Sequence, residues 1–147
     1  MTSNSPGQNT SVRARLVPLD LVEEQDRSHL TVAEIGRHIP FPVKRAFYYT
    51  GLREGEVRGK HAHHSLEEFI ICITGRARVL TEDGQGQQQF GLDGGPAGVY
   101  IPPMTWISVE ISHPNTNCVV FASAPYDDAD YIRDIDSFRK ILNEQPA

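Results

Sequence analysis

The apolar positions of this chain fall in short runs that alternate with polar ones or stand alone between turn residues. Candidate strands are Arg13–Leu19, Leu30–Ile35, Lys44–Thr50, Val57–His63, Glu67–Ile73, Ala77–Glu82, Gln87–Leu92, Val99–Ile101, Thr105–Ile111 and Cys118–Ser123. The separators are turn chemistry: Gly51 to Gly55, Thr74-Gly75, Asp83-Gly84, Asp93 to Pro96 and His113-Pro114-Asn115. Many short strands at regular spacing predict an all-β sandwich or barrel. The run Phe69–Ile73 is apolar on both faces, as expected of a strand covered on both sides. The run Arg76–Val79 alternates, so one of its faces meets something polar, and Arg78 is a candidate inward cation. From about residue 127 the period changes. Tyr131, Ile135, Phe138 and Leu142 recur at helical spacing, which predicts one or two short C-terminal helices packed by that stripe, with Asp127 or Asp128 as N-cap.

Length and composition narrow this further. The 147 residues make one domain, here taken as 12–147 behind a Ser, Asn, Gly and Pro-rich tail, 1–11, that is expected to be disordered. Hydrophobic residues are 39% and charged residues 22%, the balance of a globular chain. No apolar run approaches the length of a membrane helix, so no membrane partner is expected. A net charge of −5 argues against a nucleic-acid partner. The first residues lack the basic and apolar regions of a secretory signal, and the two cysteines, Cys72 and Cys118, sit inside apolar runs as small buried hydrophobes. A cytoplasmic protein is the expectation.

The chemistry concentrates between Gly55 and Gly75. His61 and His63 are two apart, so on a strand they share a face, and His64 points away from it. Gly55, His61-x-His63, Glu68 and Gly75 have the spacing of the first cupin motif, in which two histidines and a glutamate hold a divalent ion. The second motif falls at Gly98–Ile107, and where its metal-binding histidine is expected the chain has Ile107. The loss of that ligand favours metal-free use of the histidines as acids and bases, which suits an unperturbed pKa of about 6.5. Upstream, Tyr48 and Tyr49 face opposite sides of their strand, so one of them looks inward. Arg53 and Arg58 flank the histidine loop, and guanidinium forks suit a pyrophosphate. Tyr100 and Trp106 offer flat faces for a base or sugar.

The stretch from about Phe41 to Leu142 resembles the dTDP-4-keto-6-deoxyglucose 3,4-ketoisomerases, cupin-fold enzymes of deoxysugar biosynthesis. The resemblance is carried by KRAFYY at 44–49, RGKHAH at 58–63, EEFIICITGRARVLTEDG at 67–84, GVYIPPMTW at 98–106 and, most specifically, DDADYIRDIDSF at 127–138. It implies a cupin-type β-barrel (jelly roll) with short C-terminal helices, a dTDP-linked keto-deoxysugar substrate, no metal and no cofactor. It further implies a homodimer that exchanges an N-terminal strand, with His61 and His63 as the catalytic pair and Tyr49 and Arg53 assisting. Arg58, Arg78, Tyr100 and Trp106 are then candidate substrate-binding residues. Two positions depart from the family. Lys60 stands where relatives commonly carry an aromatic residue, and Ile107 where many have a histidine after the tryptophan. The implied reaction passes through a 3,4-enediolate, and one-sided proton transfer favours the galacto product. Two other readings are a metal-dependent cupin dioxygenase or isomerase using His61, His63 and Glu68, and a sugar-binding cupin without catalysis.

Overall fold

The computed structural model describes residues 12–145. Twelve strands and one helix follow one another in the order β1 (Arg15–Pro18), β2 (Asp20–Glu23), β3 (His29–Val32), β4 (Arg45–Leu52), β5 (Val57–His63), β6 (Glu68–Thr74), β7 (Ala77–Asp83), β8 (Gly86–Leu92), β9 (Ala97–Ile101), β10 (Trp106–Ile111), β11 (Thr116–Ala122), β12 (Tyr131–Ile132) and α1 (Ile135–Glu144). Antiparallel pairing makes one sheet of order β1-β9-β6-β11-β4 and a second of order β12-β5-β10-β7-β8, while β2 and β3 form a separate hairpin.

Alternation along the strands puts one apolar face of each sheet inside. Ile70, Cys72, Val99, Ile101, Cys118 and Val120 from the first sheet meet Ala77, Val79, Ile107, Val109 and Ile111 from the second. Burying each valine or isoleucine of this set is worth about 1.5–3 kcal/mol. The outer face of the first sheet carries a second apolar cluster, Phe69 and Tyr100 covered by Leu19, Ile39 and Phe41, which explains why β6 is apolar on both faces. The expected all-β jelly-roll architecture is therefore present, but the two sheets share no strand and are not closed into a barrel.

Every expected strand has a counterpart, and the structure adds β2 and β12. The expected helical stripe is split. Asp127 caps a single 3-10 turn, accepting from the Ala129 N–H, and Asp134 caps α1, accepting from the Ser137 N–H. Tyr131 lies before α1, in β12, not on the helix. The rest of the stripe packs as anticipated: Phe138, Ile141 and Leu142 cover Ala62 and Ile132 beside Trp106. The chain turns from β6 into β7 at Gly75, whose φ is +83° and where a Cβ would lie 2.2 Å from Thr116 Oγ1, so only glycine fits. The expected disordered tail, 1–11, lies outside the described residues.

Candidate active site

The strand that carries the histidines is not regular. Ile107 pairs with His61 and Ser108 with Gly59, which leaves Lys60 as the extra residue of a β-bulge. Gly59 and Lys60 both have positive φ, +82° and +59°. The bulge resets the alternation of β5. A regular strand would put Arg58 and His61 on opposite faces; here both line one cavity between the sheets.

That cavity encloses about 460 Å³ including its open mouth. Its walls are mainly apolar, from Phe47, Ile70, Ile101, Ile107 and their neighbours, and its polar groups are those of Tyr49, Arg58, His61 and Glu68 beside the Cys118 thiol. Arg58 lies over the Tyr49 ring, 5.4 Å from its centroid, and pairs with Glu56 at 2.9 Å. Burial raises the Tyr49 hydroxyl pKa, with Arg58 partly opposing it, so Tyr49 is a proton donor at neutral pH.

His61 and His63 do share a face, with ring centroids 4.8 Å apart and planes near perpendicular. They are not equivalent. His61 is 18% exposed and reaches the cavity; His63 is 5% exposed and sits behind it. Glu68 lies between them, with Oε1 3.7 Å from His61 Nε2 and 3.2 Å from His63 Nε2. Burial alone would raise the Glu68 pKa, but the two imidazoles outweigh it and hold the carboxyl down to about 2. On the other side of His63, Nδ1 is 3.4 Å from Asp130 Oδ2. Asp130 is fixed by the Ser65 hydroxyl at 2.7 Å and the Ser65 and Leu66 N–H groups at 3.0 Å.

The structure thus gathers His61, Tyr49 and Arg58 around one space and leaves other candidates elsewhere. Arg53 sits in the exposed turn after β4, outside the cavity lining, its backbone N–H bonded to Glu56 Oε1 at 3.1 Å. Arg78 faces out from the second sheet and pairs with Glu110, so it is not the inward cation its alternating strand suggested. Tyr100 belongs to the outer cluster of the first sheet, its hydroxyl donating to Glu67 Oε1 at 2.6 Å. Trp106 packs on Phe138, 5.9 Å between centroids, beside α1. Three contributors were not singled out from sequence as site residues. Glu68 was named only in the metal reading. Asp130 and Tyr131 belong to the segment whose spacing predicts a helix, yet β12 pairs Tyr131 with His63.

A sandwich of two antiparallel sheets with a His-x-His pair and a buried glutamate at its open end is a cupin-type site. The FdtA model, described as WxcM-like, C-terminal, matches residues 13–143, and the chain belongs to that family. It is 36% identical over 116 residues, 79% of this chain and 84% of the other, to a TDP-4-oxo-6-deoxy-α-D-glucose-3,4-oxoisomerase of Aneurinibacillus thermoaerophilus. Among solved structures it is similar to a histidine-to-asparagine mutant of the 3,4-ketoisomerase QdtA from Thermoanaerobacterium thermosaccharolyticum in complex with TDP-4-keto-6-deoxyglucose. There the TM-score is 0.83 at 26% identity, covering 90% of this chain and 96% of that one. A 3,4-ketoisomerase from Helicobacter canadensis gives a TM-score of 0.83 at 27% identity, with 89% and 98% covered.

Proposed function

We propose that this chain is a 3,4-ketoisomerase that converts dTDP-4-keto-6-deoxyglucose to the corresponding 3-keto sugar. The observation that carries this reading is His61, an imidazole aimed into a largely apolar cavity and backed by an ionised glutamate. The C3 hydrogen of a 4-keto sugar is acidic because the carbonyl takes up the charge. His61 removes it as a proton, and the electron pair passes into the C3–C4 enediolate with its charge on O4. Tyr49 donates to that oxyanion, and the apolar walls strengthen the bond. His61 returns a proton to C4 while O3 loses its proton and O4 gains one, so the atoms balance. Arg58, at the cavity, and Arg53, on the adjoining turn, hold the diphosphate.

Several features support the finer points. His61, His63 and Glu68 present donor atoms within 4.8 Å of one another, the spacing of a three-ligand metal set. Ile107, opposite His61, fills the further ligand position with an aliphatic side chain, which favours acid–base work by the histidines alone. Exposed Leu16, Leu21, Val22 and Leu30 on β1 to β3 suit a homodimer that exchanges an N-terminal strand. Free, buried Cys72 and Cys118 suit a reducing cytoplasm.

The test is NMR of dTDP-4-keto-6-deoxyglucose incubated with the protein, alongside His61→Asn. The expected result is a 3-keto product from the wild type and a loss of roughly 10²–10⁴-fold in the variant. Binding of the sugar without any C3 or C4 chemistry overturns the reading in favour of a sugar-binding cupin. Activity that needs a stoichiometric transition metal overturns the metal-free mechanism.

A further inference from the structure

The two histidines of the HAH motif open onto different spaces. His61 lines the main cavity. His63 instead lines a second cleft of about 290 Å³, together with Arg45, Ser65, Asp127, Asp130 and Tyr131. Between the two spaces runs a file of neighbouring side chains. His61 Nε2 is 3.7 Å from Glu68 Oε1, the same oxygen is 3.2 Å from His63 Nε2, and His63 Nδ1 is 3.4 Å from Asp130 Oδ2. The file starts in the cavity where the sugar is expected and ends in the second cleft, on a carboxylate fixed by Ser65 and Leu66.

Glu68 and Asp130 are both acceptors when ionised, so every proton in these contacts must come from an imidazole. Despite the short distances, His63 Nδ1, His63 Nε2 and Glu68 Oε1 are all buried without an aligned hydrogen bond. Leaving a buried polar atom unpaired is unfavourable. The atoms of the file are thus close to their partners without being aligned on them. A ring that must exchange protons with both neighbours needs contacts that are close but not locked.

We infer that the second cleft is a proton port of the active site, in which His63 and the positioning residue Asp130 connect His61 to solvent without touching the sugar. The inference rests on the ketoisomerase reading for its chemistry. The proton that His61 takes from C3 passes to Glu68, then to His63 Nε2. His63 releases its Nδ1 proton toward Asp130 and the cleft. A solvent proton returns along the same file, and His61 delivers it to C4. The net count is one proton out and one in, with no change in oxidation state beyond that of the isomerisation itself. Asp130 acts through His63: it holds Nδ1 as the donor, so that Nε2 faces Glu68.

Two measurements test this. The first needs no turnover: nitrogen-15 NMR of histidine-labelled protein. His63 is expected to carry a proton on Nδ1, with a downfield signal lost in Asp130→Asn. A His63 without an Nδ1 proton overturns the port. The second is turnover in D₂O. Wild type is expected to place solvent deuterium at C4 of the product. Asp130→Asn keeps an oxygen for the two Ser65 donors and turns its NH2 toward the Leu66 N–H and His63 Nδ1; its product should carry protium retained from C3, with kcat reduced roughly 10-fold and KM little changed. Asp130→Glu, which restores a carboxylate, should return deuterium to C4. An unchanged deuterium fraction in Asp130→Asn overturns the inference. Wild type that turns over no 4-keto sugar defeats the ketoisomerase reading instead, and the ring-nitrogen spectrum then decides the port alone.

Discussion

Tyr131 stands directly opposite His63 in the β5–β12 pair, and its ring centroid lies 4.2 Å from that of the imidazole. The same ring is 5.1 Å from His61. Tyr126 at 5.5 Å and the Arg133 guanidinium at 4.1 Å pack against it in turn. The C-terminal segment therefore does more than cover the sheet: it clamps both imidazoles in one arrangement.

Tyr131→Ala should loosen that clamp without removing any acid or base. The expected outcome is a fall in kcat on the order of 10²-fold, the cost of about 1 Å of misplacement, while α1 stays folded by circular dichroism. Tyr131→Phe, which keeps the ring, should retain more activity than the alanine variant. Equal kcat for Tyr131→Ala and wild type would show that the packing does not position the histidines.

Much of this arrangement was legible in the residues. Period-two alternation located the strands, and the spacing of His61, His63 and Glu68 located the site. What escaped was long-range. Tyr131 keeps helical spacing with Ile135 and Phe138, but Asp134 caps α1 only three residues later, and the preceding residues pair with β5 instead. The cavity face of Arg58 depends on the bulge at Lys60, which alternation cannot show. Arg78 alternates as an inward residue would, yet the inner face of β7 belongs to Ala77 and Val79, both buried.

The bulge itself can be tested. At Gly59 φ is +82° and an added Cβ would lie 3.0 Å from the Ile107 carbonyl oxygen. Gly59→Ala should destabilise the fold by about 1–2 kcal/mol, the cost of a side chain in the left-handed region. It should also lower kcat/KM, because Arg58 and His61 shift with the strand. Urea denaturation and steady-state kinetics check the two parts. An alanine variant with wild-type values for both would mean that β5 tolerates a regular register.

The arginines separate cleanly. Arg58→Ala should raise KM or the dTDP dissociation constant on the order of tenfold, as expected for lost hydrogen bonds to a charged group. The wild-type affinity should fall with added salt, since these contacts are partly Coulombic and screened. Arg78→Ala, which removes only an outward pair with Glu110, should leave both constants unchanged. The reverse pattern, measured by calorimetry, would move the diphosphate to the outer face of the second sheet.

Glu68 sets an acid limit. Its carboxyl is held at about 2, below the ordinary 4.5, because the imidazoles oppose burial. A carboxyl depressed in the folded state stabilises the protein above its unfolded pKa and loses that contribution as pH falls through the folded value. Wild type should therefore lose stability between pH 4.5 and about 2, and Glu68→Gln should lose less over the same window. Urea midpoints measured across that range decide it; parallel acid limbs for the two proteins would remove Glu68 as a source of the slope.

The product configuration at C4 follows from which groups reach the sugar. In the gluco-configured substrate the C3 hydrogen is axial and lies on one ring face. His61 is the only imidazole that lines the main cavity among the described residues, and Ile107, its cross-strand partner, adds no acid or base. A single group that takes the C3 proton and protonates C4 does so from the same face. The C4 hydrogen then ends on the face that C3 gave up, and the hydroxyl is axial, which is the galacto product. The same holds when the proton delivered has exchanged with solvent, because His61 still delivers it. Tyr49 serves the oxyanion and, with its hydroxyl pKa raised by burial, stays protonated. The expected product is therefore dTDP-3-keto-6-deoxygalactose, with a small coupling between H4 and H5 in the product or its aminated derivative. A large diaxial coupling would mean protonation from the opposite face, and hence a second donor across the ring from His61.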